Sequence, residues 1–212
     1  MCVEGGTFMM GAGSDAHQVT LSDYYIGETE VTQSLWLAVM GGELPFRQEI
    51  MGDEYPVADI TMVDCRRFVE RLTELTGRHF RIPTEAEWEY AARGGKKSRG
   101  YKYAGSDNID EVAWYNRNAI EYRPQIVKQY KPNELGVYDM SGNVCEWVSD
   151  WYAPYNLYPQ INPTGASIYS DSKLPHIHRG GCWTYAPAQC QPERRTGWSH
   201  KSANGIGLRI VM

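Results

Sequence analysis

Two long stretches of this chain, residues 96–135 and 150–177, are polar and rich in Gly and Tyr. Neither carries the periodicity of a helix or a strand. Connections of this length in a compact domain are either functional or tied down by their surroundings. They restrict the chain to folds that order much irregular backbone around a few regular elements. Its 212 residues suffice to bury a substantial core, and no repeat or low-complexity linker divides them. A single domain over residues 1–212 is therefore expected.

Three segments have helical spacing. In the first, Thr32 supplies an N-cap, Leu35, Trp36, Val39 and Met40 form an apolar stripe, and Gly41-Gly42 stops it. In the second, Thr61 and Asp64 have the spacing of a capping box. Cys65, Phe68, Val69, Leu72 and Leu75 then recur on one face as far as Gly77, which makes Cys65 a core thiol. The third follows Pro83: Thr84 caps it, Glu87 lies three residues on, and Trp88 and Ala91 face inward before Gly94-Gly95. Capping and the helix dipole account for Glu85 and Glu87 without an acid–base role. Residues 7–10, 24–26, 206–211 and the segments beside Trp183 read as strands.

The charge balance, 21 basic against 26 acidic side chains, contains no basic cluster, which argues against a nucleic-acid partner. No apolar run reaches the length of a transmembrane segment. The chain opens abruptly at Cys2-Val3-Glu4-Gly5-Gly6, inside what reads as a first strand. That is the expectation for an exported protein whose signal is absent from this sequence.

The aromatic set is unusual in kind, with 15 Tyr and 7 Trp against 4 Phe. Tyr and Trp combine an apolar body with a polar handle and favour binding faces. The loop tyrosines Tyr101, Tyr103, Tyr152, Tyr155, Tyr158 and Tyr169, with Trp183, Tyr185 and Trp198, are the candidate ligand surface. A protein, peptide or carbohydrate would suit it. Five cysteines, at 2, 65, 145, 182 and 190, form an odd set with no CxxC, which disfavours structural zinc and leaves one disulfide open. His176 and His178 share one face of a strand, with no third metal ligand evident.

Several longer motifs occur in a fixed order. They are Gly5-Gly6-Thr7-Phe8-Met9-Met10-Gly11, Tyr25-Ile26-Gly27-Glu28-Thr29-Glu30-Val31-Thr32, and the run from Arg81-Ile82-Pro83-Thr84 through Trp88 to Gly95. Gly136-Val137-Tyr138-Asp139-Met140-Ser141-Gly142-Asn143-Val144-Cys145-Glu146-Trp147 follows, then Arg179-Gly180-Gly181-Cys182-Trp183, Cys190 and Gly205-Ile206-Gly207-Leu208-Arg209. Together they resemble the formylglycine-generating enzyme (sulfatase-modifying factor) family. The resemblance implies a C-type-lectin-like α+β fold: two or three helices, a small twisted antiparallel sheet and much ordered loop.

Members of that family include copper-dependent oxidases that convert a sulfatase cysteine to formylglycine, and ligand-displaying variable proteins without catalysis. The oxidases hold Cu(I) between two cysteines five residues apart, and two soft thiolates suit that ion. Aligned on Gly180-Gly181, the second of these is Cys190, but the first is Tyr185. Cys182 falls where the oxidase has an active-site Ser, and Cys145 where it has an aromatic. The resemblance also places a structural Ca2+ at Asp139, Gly142, Val144 and Glu146. Loss of the thiolate pair implies a non-catalytic ligand- or protein-binding module. The alternative is a copper oxidase working through Cys190 and a substitute thiol such as Cys182.

Overall fold

A computed structural model describes residues 1–42, 44, 52–166, 174–198 and 205–212. In chain order the strands and helices are β1 (Cys2–Val3), β2 (Thr7–Met10), β3 (His17–Thr20), β4 (Tyr24–Tyr25), α1 (Gln33–Met40), α2 (Met62–Thr76) and α3 (Glu85–Ala92). There follow β5 (Cys145–Trp151), β6 (Gln160–Ile161), β7 (His176–Arg179), β8 (Thr196–Trp198) and β9 (Ile206–Gly207). The fold is α+β. Its largest sheet has the order β8-β7-β5-β9, beside a three-stranded β2-β3-β6 sheet and a β1-β4 pair. Most pairings are antiparallel, while β3–β6 and β5–β9 run parallel.

Each helix begins as its cap dictates. Thr32 Oγ1 accepts the Leu35 amide, and complete capping boxes join Thr61 to Asp64 and Thr84 to Glu87. Gly41 and Gly77 close α1 and α2 at φ 83° and 67°, a left-handed conformation that costs an L side chain energy. Two positions of the expected stripes are corrected. Leu35 and Leu75 lie on solvent-facing sides, and Gln33 is buried on α1 instead.

The third helix differs most from its sequence reading. All eight of its residues are buried, so Glu85, Glu87 and Glu89 are core residues rather than solvated dipole partners. Each is therefore matched by arginine. Glu85 accepts Nε and Nη2 of Arg195, both at 2.9 Å, and Glu87 is gripped by Arg81 at 2.6 and 2.7 Å. Glu89 lies between Arg93 and Arg179. Charges this far from water persist only when paired and hydrogen-bonded.

The alternation of β5 and β7 divides the core. Glu146 lies opposite Arg179, and Trp147 opposite His178. Val148 and Ile177 point with Glu146 and Arg179 towards α3, into a cluster containing Trp88, Ala91 and Met140. Cys145 and Trp147 point the other way, into a cluster with Phe68 and Cys65 of α2 and Trp36 of α1. Trp36 and Phe68 stack there at 4.8 Å. Between the layers, Arg209 donates to both oxygens of Glu146 and to the carbonyls of Gly27 and Tyr138. Trp88 Nε1 completes the set at 2.6 Å from Glu146.

The strand expected over 206–211 is realised only at Ile206–Gly207, with Val211 bridging to Ile26 and Arg81. Residues flanking Trp183 form turns rather than strands. All five cysteines are free thiols, so the possible disulfide does not form. Among the described residues no helix is long and apolar enough to cross a membrane.

Candidate functional site

The tail turn is built on backbone that only glycine adopts easily. Gly180 and Gly181 follow β7 at φ 89° and 73°, and a Cβ on Gly181 would lie 2.7 Å from Cys190 Sγ. The turn is stitched to the loop before β5 by Gly142 N to Gly180 O (2.9 Å) and Trp183 N to Asn143 O (2.8 Å). These bonds bring Cys182 against the start of β5. Its side chain packs in the same buried cluster as that of Cys145, and Thr184 Oγ1 lies 3.2 Å from Cys182 Sγ.

The three buried thiols of this region differ in acidity. The neighbouring Cys145 thiol and the Thr184 contact bring Cys182 down to about 7 despite burial. Burial holds Cys145 well above the usual thiol range, and burial with the nearby Cys182 pushes Cys190 up to about 12. Cys190 belongs to a separate apolar cluster with Tyr103, Ile109, Val112, Ala113 and Tyr115. Half-buried Tyr185 packs against both clusters, and burial drives its phenol upward. Cys182, Tyr185 and Cys190 are thus neighbours, but the position that would need a thiolate beside Cys190 carries a neutral phenol. That hard, weakly acidic oxygen does not fit Cu(I).

His178 lies on the same face of the sheet, 2% exposed, with its ring 6.5 Å from that of Tyr185. Among the described residues its Nε2 has no hydrogen-bond partner, and burial lowers its pKa to about 4. His176 stacks on Trp151 at 3.6 Å and meets Arg66. The two histidines therefore serve packing. Among the described residues, no group of three or more His, Cys, Asp or Glu side chains is arranged to hold a metal.

The calcium expectation fares no better at Glu146. Both of its carboxylate oxygens are taken by Arg209 and Trp88, so a cation there would have to displace a guanidinium. Asp139 is buried, accepts the Lys128 amide at 2.9 Å and is raised to about 6, chiefly by burial. The Gly142 Cα faces the Trp114 carbonyl, where an added Cβ would lie 2.1 Å away, and Val144 is fully buried. The acidic members of this set are committed to the protein's own donors, so the set as arranged does not fit a calcium ion.

The aromatic surface is more restricted than its composition suggests. Tyr103 is buried, and Tyr155 donates to Glu85 beneath the Arg195 guanidinium, 4.0 Å from its ring centre. Tyr101 is half-buried. Tyr152 and Tyr158 are exposed, Tyr152 beside Arg195. Tyr169 lies outside the described residues, as does the Trp198 side chain, although the Trp198 backbone ends β8. Trp183 and Tyr185 do reach the surface together. Trp183 Nε1 donates to Tyr122 O at 2.7 Å and Asn116 N to Tyr185 O at 3.1 Å, joining the tail to the 116–122 loop. That loop adds Ile120 and Tyr122, 56% and 78% exposed, which the sequence reading missed. Their signal was two large apolar residues either side of Glu121 in an otherwise polar connection.

A second feature escaped the sequence. Beside the N-terminus of α3 lies a cavity of about 270 Å³ lined by His17, Glu85, Asp150, Tyr155 and Arg195. Asp150 caps the helix by accepting the Glu85 amide at 2.9 Å, and burial raises it to about 6.

A three-helix α+β domain, with a double-glycine tail turn packed onto a central strand and thiols behind it, defines the formylglycine-generating-enzyme-like class. The chain belongs to the sulfatase-modifying factor enzyme 1-like domain family, whose model matches residues 1–212. Chaperone protein LppX of Paenibacillus barcinonensis is 38% identical over 201 residues, covering 71% of each chain. The formylglycine-generating enzyme of Streptomyces coelicolor is 32% identical over 185 residues, covering 78% of this chain and 55% of that enzyme. The chain thus spans about half the length of that relative. Treponema denticola variable protein 1 superposes with a TM-score of 0.88 at 27% identity, covering 99% of this chain and 93% of the other.

Proposed function

We propose that this chain is a protein-binding member of its family that has lost the family's copper oxidation. One observation carries the reading: Tyr185 stands where the resemblance to the oxidases calls for the partner thiolate of Cys190, and desolvation of its half-buried phenol keeps it neutral. Cys190 itself is fully buried in a different cluster, with its thiol pushed up to about 12. The face that remains is apolar and aromatic, built by Ile120, Tyr122, Trp183 and Tyr185 on two cross-linked loops. Large amphipathic side chains on a rigid frame suit a polypeptide partner. The 38%-identical relative named as a chaperone protein is consistent with that choice.

The test has two arms. Incubation with copper, reductant, oxygen and a sulfatase-derived cysteine peptide is expected to leave the peptide mass unchanged, and formylglycine formation sinks the reading. In the second arm, substoichiometric aggregation of a chemically unfolded test protein is followed by light scattering. Suppression by the native chain and its loss in Ile120→Asp/Tyr122→Ala support a protein-binding face, whereas equal suppression by both argues against it.

A further inference from the structure

The cavity of about 270 Å³ beside the N-terminus of α3 is walled by His17, Glu85, Asp150 and Arg195, none of which the protein-binding face uses. His17, Glu85 and Asp150 are 3, 2 and 5% exposed. Their hydrogen bonds show which of them still have capacity. Glu85 accepts Nε and Nη2 of Arg195 on separate oxygens, and Tyr155 shares the first of these. Arg195 spends its third nitrogen on the Ala153 carbonyl and lies over the Tyr155 ring. That pair is neutral and closed.

Asp150 and His17 are not. Asp150 Oδ2 accepts the Glu85 amide at 2.9 Å and the Ser149 hydroxyl at 3.0 Å, but among the described residues no donor meets Oδ1. Glycine keeps that oxygen uncovered. Gly165, in the same wall, has φ 77°, and a Cβ there would lie 2.7 Å from Oδ1. His17 Nδ1 lies 2.9 Å from the Asp15 carbonyl, which only accepts, so Nδ1 carries the proton. In the neutral ring Nε2 is then an acceptor, again without a donor among the described residues. The cavity thus holds two open acceptors, one of them on a carboxylate with no counter-ion.

We propose that this cavity binds a small primary ammonium ion through Asp150 Oδ1 and His17 Nε2. An anion would meet the Asp150 carboxylate with no free guanidinium to offset it. A metal ion would find two side-chain ligands, too few for calcium or zinc. An ammonium supplies both the missing charge and three donors. Burial without a cation of its own is also what raises Asp150 to about 6. Met10, Trp151, Pro154 and Pro163 complete the wall with apolar surface for a short alkyl chain. The volume lies below the roughly 300–1,000 Å³ of drug-sized sites, which restricts the ligand to a small one. The proposal does not rest on the protein-binding reading.

A free alkylamine and a lysine side chain carry the same group on the same four-carbon stem, and the experiment separates them. The native chain, labelled with 15N, is titrated with n-butylammonium, Nα-acetyl-lysine methylamide and n-butanol at about pH 7.5, where Asp150 is ionised and the amines are charged. Saturable shifts of the Glu85 and Gly165 amide signals are expected with n-butylammonium, with a dissociation constant on the order of 1 mM for so few heavy atoms, and none with n-butanol. Tighter binding of n-butylammonium than of the lysine derivative identifies a free amine as the ligand, and the reverse order identifies a lysyl side chain. Asp150→Asn keeps an oxygen to cap α3 and should weaken binding by about tenfold or more. Glu74→Gln, on the exposed side of α2, should leave it unchanged. Absence of saturable shifts, equal affinity for n-butanol, undiminished binding in Asp150→Asn, or equal weakening in Glu74→Gln would each overturn the proposal.

Discussion

At the scale of single residues, two buried titratable groups set opposing pH dependences. His178 is protonated near pH 6.5 in an unfolded chain but only near 4 in the native one, because burial disfavours the imidazolium. Between those values the unfolded state binds more protons. The stability this residue secures is therefore complete above about 6.5 and lost as pH falls towards 4, by about 3 kcal/mol in all. His178→Phe should flatten the acid side of a plot of melting temperature against pH, and an unchanged slope would refute the assignment. Asp150 acts in the opposite sense. Its folded value is raised from 3.8 to about 6, so its favourable contribution is full below 3.8 and lost as pH rises through 6. Relative to the native chain, Asp150→Asn should gain about 3 kcal/mol between pH 4 and 7. Paired thermal melts across that range check it, and a constant difference between the two proteins would count against it.

At the scale of elements, what the sequence reveals depends on how local the determining contacts are. The helix caps were legible because Thr61 with Asp64, and Thr84 with Glu87, satisfy backbone donors only three residues away. The strand β5 was not, because buried Glu146 and Asp150 break its apolar pattern, and the groups that neutralise or bind them lie 63 and 65 residues distant. The candidate site was half legible: the family resemblance, aligned on Gly180-Gly181, placed Tyr185 and Cys190, whereas the packing of Cys182 with Cys145 in one cluster exists only in the fold. The helix α3 combines both kinds of determinant and separates their energies. Thr84→Ala removes a local cap and should cost about 1 kcal/mol. Glu89→Gln leaves the fully buried Arg179 without its closest carboxylate and should cost about 3–5 kcal/mol. Urea denaturation ranks the two, and equal costs would mean that Glu85 alone suffices to balance Arg179.

At the scale of the whole molecule, the question is whether the two apolar clusters fold as one unit or two. Each is wide enough to be a core in its own right, but they share β5 and β7, whose side chains alternate between them. The ion pair of Arg209 with Glu146 lies in that shared layer and reaches the backbone at Gly27 and Tyr138, so loss of either cluster exposes a charge that the other needs neutralised. A common sheet with a common buried charge predicts a single cooperative transition. Phe68→Ala on the α2 side and Ile177→Ala on the α3 side both remove fully buried side chains and should cost about 3–5 and about 2–5 kcal/mol. Each variant should still melt in one step, with near-ultraviolet circular dichroism and far-ultraviolet signals coinciding. A biphasic melt in Phe68→Ala, with the α3 side surviving the first phase, would show that the sheet does not couple the two layers.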